Sequence, residues 1–276
     1  YEILRSNTQL LLKDLLESLN PKGWPIKIAD LPLGSALVGG SVRDGLLNKL
    51  IQKPDLDFVV PINAIEFTKN LSTKINASFI KLDEERDIAR LVIDGWTVDF
   101  ARQIGKTLEE DLLRRDYRLN AIALKLNEEP RLFDPTGGIA DLKAKKIVAI
   151  SETNLIDDPL RMLRGFRLMC ELKFDLDKKT KRFIKNNVNK LNTVASERIK
   201  TEILKIVNSD CNDYIWQTFI DLKLLNNWHE DNVSLIYQIK EDRRFKELAD
   251  AKPIARLICL VCDKGLTSLT FSKNQI

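Results

Sequence analysis

A chain of 276 residues and 31.7 kDa is long for one domain of ordinary size and short for three. It is 44% hydrophobic and 30% charged with a mean hydropathy of −0.20, which excludes wholesale disorder and collagen-like repetition, and no apolar run approaches the ~18 residues of a membrane span. The net charge of +4, from 44 basic and 40 acidic residues, is too mild to announce a nucleic-acid partner.

The opening Tyr1-Glu2-Ile3-Leu4-Arg5 lacks the layout of a secretory signal, and a start at Tyr rather than Met reads as trimming or processing. Short β-like runs then follow at Ala36–Val38, Phe58–Val60, Phe79–Leu82, Ile88–Ile93, Thr97–Ala101, Ala121–Leu126 and Ile147–Ile150, punctuated by Gly, Pro, Asn and Asp. Helix-like segments at Val42–Lys53 and Ala64–Ile75 lie between them. From Pro159 onward Gly and Pro become rare, and apolar residues such as Ile199, Ile203, Ile206 and Val207 recur at helical spacing. The expected architecture is α+β over 1–150, then all-helical, with a polar break at Asn208-Ser209-Asp210. Lys173 to Lys205 holds ten Lys/Arg against four Asp/Glu, a local +6. That run reads either as a solvated helical face or as a phosphate-backbone footprint.

Four motifs in the first part carry chemistry. In Leu37-Val38-Gly39-Gly40-Ser41-Val42-Arg43-Asp44, a strand runs through two glycines into a helix. Glycines there allow backbone N–H groups to approach a phosphate, although the spacing matches neither a P-loop nor a dinucleotide fingerprint. In Asp55-Leu56-Asp57 the strand period of two places both carboxylates on one face. Such a pair needs a counter-charge, and Mg²⁺ ions supply it where a phosphoryl group is transferred. Asp99, inside a β-like run, reads as an ordinary edge-strand residue, a third metal ligand, or the base for an attacking hydroxyl. Arg114-Arg115-Asp116 offers guanidinium forks for a triphosphate, or a structural Arg–Asp pair.

These motifs, together with Asp134-Pro135-Thr136-Gly137-Gly138, Asp158-Pro159-Leu160-Arg161-Met162-Leu163-Arg164-Gly165-Phe166-Arg167 and Glu197-Arg198-Ile199, occur in an order that resembles the class II tRNA nucleotidyltransferase and bacterial poly(A) polymerase family. The resemblance spans about residues 36 to 205. It implies a polymerase-β-like nucleotidyltransferase head with a mixed sheet (1–150), a helical neck binding nucleotide and RNA (151–208) and a helical body (209–276), with a C-terminal end that is short for the family. It further implies that Asp55 and Asp57 bind Mg²⁺ and that Asp99 assists catalysis. Gly39, Gly40, Arg43 and Arg115 would hold the nucleotide, and Asp158, Arg161, Arg164 and Arg167 would lie at the base. Arg161 and Asp158 can imitate a Watson–Crick partner for cytosine or adenine. The other reading of Asp158 is a helix cap before Pro159, a role Asp157 could also fill. Arg167 has drifted half a turn from Asp158.

The implied activity is template-independent transfer of CMP, or AMP, from CTP or ATP to the tRNA 3′-hydroxyl in the cytoplasm. Only nine residues separate the Asp99 strand from the arginine motif, Arg102 to Glu110, where family members that complete CCA carry a longer loop. A CC-adding enzyme is therefore expected. The alternatives are an A-adding enzyme, a poly(A) polymerase or a non-catalytic RNA-binding module.

Other features read as structure. Cys259-Leu260-Val261-Cys262 lies in an apolar helical stretch without a second pair. Trp216, Phe219 and Trp228 read as core. The lone His229 reads as a boundary residue and excludes Ser-His-Asp catalysis. Cys170, Cys211, Cys259 and Cys262 are too scattered for a disulfide framework, so a reducing compartment is expected.

Overall fold

The computed structural model describes residues 2–127, 129–225, 228, 235–241 and 251–269. His229 lies outside them. The chain divides into two compact units, Tyr1–Ala144 and Lys145–Ile276.

The first unit is built on a seven-stranded mixed sheet. Its strands are β1 (Ala36–Val38), β2 (Leu56–Val60), β3 (Ser78–Asp83), β4 (Ile88–Ile93), β5 (Trp96–Arg102), β6 (Ala123–Lys125) and β7 (Arg131–Phe133). The order is β3-β4-β5-β2-β1-β6-β7, and β2–β5 is the parallel pair. Alternation along β2 and β5 makes two different faces. Phe58 and Phe100 point one way, are 1% and 0% exposed, and stack at 5.5 Å between centroids. Trp24 meets Phe58 at 5.8 Å, and Phe67 meets Phe100 edge-on at 5.1 Å. Phe67 belongs to α3 (Ala64–Ile75), so this face is the core, and burying each such ring contributes about 1.5–3 kcal/mol. Asp57 and Asp99 sit on the other face.

Capping fixes the helices. Asn63 accepts from the Glu66 N–H, and the Asp87 carboxylate takes the N–H groups of Ala64 and Ile65, so three donors at the start of α3 are satisfied. The helix expected to run from Val42 to Lys53 is shorter. It is α2, Gly40–Leu46, which ends where Asn48 turns left-handed with φ 54°. Asn tolerates that conformation, and its position was the stop signal. The Asp134 carboxylate accepts from the Gly138 and Ile139 N–H groups, so the Asp-Pro-Thr-Gly-Gly motif starts the helix Gly138–Ala144.

The second unit is helical with one small addition. The run expected as a last head strand, Ile147–Ile150, lies in this unit. Lys146–Ile147 forms β8, a two-residue parallel pairing with β9 (Asp175–Leu176). The helices important below are α6 (Glu152–Asp157), α7 (Leu160–Leu172), α8 (Lys178–Asn187), α9 (Ser196–Asn208) and α10 (Asp213–Asp221). Phe166, Trp216 and Phe219 pack together, with 4.5 Å between the Phe166 and Phe219 rings, so these aromatics are core. Cys259 is buried, and the Cys262 sulfur accepts from the Gly265 N–H, capping a helix. The expectation of unlinked cysteines needs correction. Cys170 of α7 and Cys211, just before α10, form a disulfide across 41 residues. Distance along the chain concealed a pair that packing brings together. Among the described residues no helix is long and apolar enough to cross a membrane.

Candidate active site

The sheet register assembles the acidic centre. Val38 of β1 pairs with Asp57 of β2, Asp57 with Asp99 of β5, and Asp99 with Arg90 of β4. Directly opposed residues share a face, so Asp57, Asp99 and Arg90 form one row across three strands. Asp55 is two residues before Asp57, exposed at the mouth of β2.

The burden of this acidic centre falls on Asp57. Asp57 is pushed from 3.8 to about 6, first by burial, then by Asp99; Arg115 opposes the shift, Asp55 adds to it, and Arg90 opposes it. Asp99, expected as a third metal ligand or proton acceptor, is paired with Arg90. Arg90 donates Nε to one of its oxygens at 2.7 Å and Nη2 to the other at 2.8 Å. That bidentate pair also holds the Arg90 guanidinium above its ordinary range, chiefly through the hydrogen bond to Asp99. Among the described residues no cluster of three or more His, Cys, Asp or Glu is arranged to hold a metal. Two carboxylates, Asp55 and Asp57, are therefore the candidate donors.

The glycine turn lies directly above Asp57. Gly39 has φ 75°, and a Cβ there would sit 3.2 Å from Asp57 Oδ2 and 4.0 Å from Arg115 Nη1. Both its conformation and its neighbours require glycine. Gly40 opens α2. Arg43, expected at a triphosphate, is 9% exposed. It donates Nε and Nη2 to the Asp44 carboxylate and Nη1 to Asn120 Oδ1 at 2.9 Å. It ties the glycine turn to the segment after the arginine motif. Within that motif, Arg115 reaches Asp111 at 3.2 Å and faces Gly39. Asp116 is folded onto its own turn, accepting from the Tyr117 N–H and Asn120.

The connection from β5 to α4 (Leu108–Leu113) consists of residues 103–107. It is held by its own hydrogen bonds: Gln103 N–H to the Val60 carbonyl, Ile104 N–H to Asp111, and Lys106 N–H to Glu110.

In the second unit, Asp158 lies between α6 and α7. Its side chain does not cap: both oxygens accept from Arg198 Nη2, at 2.9 and 3.2 Å. Its backbone carbonyl accepts from the Arg161 N–H. Arg161 Nη1 donates to the Asn154 carbonyl at 2.8 Å. Arg164 is half-buried, one turn further along α7. Arg167 is turned elsewhere, bonding Glu202 of α9 at 2.8 Å and Glu171 at 2.7 Å. Burial opposes its charge, but the two glutamates outweigh this and hold the guanidinium above its ordinary range. Its place off the Asp158 face follows from the helical period.

Arg90, Asp111 and Asn120 were given no part by the sequence, and Arg198 stood only within the Glu197-Arg198-Ile199 motif. Arg90 had a signal, a cation alternating with buried Ala89 and Leu91 inside a strand. Asn120 and Arg198 depend on partners 77 and 40 residues away, whereas Asp111 meets Arg115 one helical turn on.

Comparison with known proteins finds the family of this chain. Residues 35–148 match the poly A polymerase head domain, and residues 173–231 match the probable RNA and SrmB-binding site of polymerase A. The chain is 42% identical over 185 residues to a CC-adding tRNA nucleotidyltransferase of Synechocystis, covering 67% of this chain and 44% of the relative. It is 36% identical over 183 residues to an A-adding tRNA nucleotidyltransferase of Deinococcus radiodurans, covering 64% of this chain and 41% of that one. The chain thus spans less than half the length of these curated relatives. A solved tRNA-processing enzyme with CTP superposes with a TM-score of 0.73 at 29% identity, over 87% of this chain and 71% of that one. With its head fold, glycine turn, paired aspartates and neck motifs in family order, the chain belongs to the class II tRNA nucleotidyltransferase and bacterial poly(A) polymerase family.

Proposed function

We propose that this protein transfers CMP from CTP to the 3′-hydroxyl of tRNA, adding the CC of the CCA end and releasing pyrophosphate. The observation that carries the reading is the row of Asp57, Asp99 and Arg90 beneath the Gly39 turn. It sets an acidic centre against a backbone that only glycine can form. The Asp55–Asp57 pair suits Mg²⁺, which takes one or two carboxylates and completes its shell with water and substrate phosphates. Burial and neighbouring acids leave Asp57 in want of a cation. Bound there, Mg²⁺ would neutralise charge developing on the transferred phosphoryl group.

The chain's own residues have separable tasks. Gly39 and Gly40 admit the triphosphate close to the backbone. Arg115, facing Gly39, meets its negative charge. Arg43 acts one step back, fixing the turn through Asp44 and Asn120. Arg90 pairs with Asp99 and offsets part of the repulsion that Asp99 exerts on Asp57. In the neck, Asp158 accepts from the exocyclic amino group of the base and Arg161 donates to its ring edge, with Arg164 beside them. Donor and acceptor mismatch then rejects uracil and guanine.

The five-residue β5–α4 connection, bonded to β2 and α4, supports CC rather than CCA addition, as does the similarity to a CC-adding relative. The test offers the protein tRNA ending at the discriminator base, in CC or in CCA, with each labelled nucleotide separately. Two CMP additions to the first substrate, and none to the others, are expected. AMP addition to the CC substrate overturns the CC assignment, and long A tracts on generic RNA identify a poly(A) polymerase.

A further inference from the structure

We propose that Arg198 is a positioning residue for base selection, holding the Asp158 carboxylate in one orientation. The inference rests on the base-reading role given above to Asp158 and Arg161.

Arg198 Nη2 reaches both oxygens of Asp158 from 40 residues away. An ionised carboxylate has about four acceptor sites. One bridging donor therefore orients the group and leaves acceptor capacity for an amino group on an incoming base. Arg161 is fixed in the same way, by Nη1 on the Asn154 carbonyl. Both reading groups are thus set from outside their own helix, Arg161 by α6 and Asp158 by α9. The mounting is firm, since Arg167 and buried Glu202 tie α7 to α9.

A stabilising role is a poor account of the Arg198 contact. Its side chain is 46% exposed, and ion pairs so placed add little to stability. The consequence for recognition is larger. Cytosine and adenine present an amino donor where uracil and guanine present a carbonyl. A carboxylate can only accept, so it rejects the carbonyl, and it does so where its oxygens are held towards that edge of the base. Arg198 Nη2, at 2.9 Å, fixes that orientation.

The experiment measures kcat/KM for CTP and for UTP on one tRNA primer. It compares the wild-type chain with Arg198→Gln, Arg198→Ala, Arg198→Lys and Asp158→Asn, each shown to be folded by far-ultraviolet circular dichroism. Arg198→Gln and Arg198→Ala are expected to lower the CTP-to-UTP ratio roughly ten- to a hundredfold. Arg198→Lys, which keeps a cationic donor, recovers most of the ratio. An equal loss with both nucleotides, leaving the ratio unchanged, is what a structural role gives, and it overturns the proposal. Asp158→Asn separates the two ideas. If that variant leaves the ratio unchanged, the base-reading role itself falls. If it collapses the ratio while Arg198→Gln and Arg198→Ala do not, only the role of Arg198 falls.

Discussion

Asp57 concentrates the conflict between stability and chemistry. Its carboxyl, raised from 3.8 to about 6 by burial, Asp99 and Asp55, is costly to ionise in the fold. A raised carboxyl makes the folded chain bind more protons than the unfolded one between about pH 4 and pH 6, so stability declines as pH rises through that window. Removing the charge should reverse this. Asp57→Asn is expected to stabilise the first unit at pH 7.5, in EDTA, by about 1–2 kcal/mol, less than the roughly 3 kcal/mol of the full shift because Asp57 retains some solvent. The gain should vanish below about pH 4, where both states are protonated. Urea denaturation at the two pH values checks it. The same substitution should abolish CMP transfer, and wild-type transfer should fall as pH drops through about 6. A variant that kept wild-type turnover would remove Asp57 from the site.

At the scale of elements, α7 and α9 are joined by a charge pair that is expensive to break. The Glu202 side chain is 8% exposed and that of Arg167 is 18%. Removing the arginine takes away the hydrogen-bonded cation and leaves the buried carboxylate with the more distant Lys205, at 3.6 Å. Arg167→Ala is expected to destabilise the second unit by about 2–4 kcal/mol, and adding Glu202→Gln should recover much of the loss. A double-mutant cycle by chemical denaturation decides this, and additive losses would contradict the coupling. Helix ends follow the same local logic: Ser151, Asp177 and Asn212 each accept from N–H groups of the first turn of α6, α8 and α10. Those caps are visible in the sequence, whereas the Arg167–Glu202 pair is not, because its members are 35 residues apart.

For the molecule as a whole, the +4 net charge hides a local concentration. Lys178, Lys179, Arg182 and Lys185 lie exposed on α8, within the +6 segment and within the match to an RNA-binding family. Binding of tRNA to this chain should weaken steeply with salt. Replacing Arg182 and Lys185 with Ala should reduce the slope of log K against log salt by roughly one for each cation that meets a phosphate. Fluorescence titrations across a salt series measure it, and an unchanged slope would place the RNA elsewhere.

The residue order alone determined a good deal here. Ala36–Val38, Ile88–Ile93 and Ala64–Ile75 were legible because alternation, helical period and capping residues act over a few neighbours. The paired aspartates and the glycine turn were legible because their spacing is short and chemically restrictive. Tertiary structure decided what those residues meet. Register brought Arg90 onto Asp99, an expected catalytic acid. Packing turned Arg43 onto Asp44 and Asn120, and Arg167 onto Glu202. It also joined Cys170 to Cys211 and set Arg198 against Asp158. Each of these outcomes rests on a contact whose geometry a handful of adjacent residues cannot encode, and side-chain charge makes the choice of partner decisive, since a buried ion without its counterpart costs several kcal/mol.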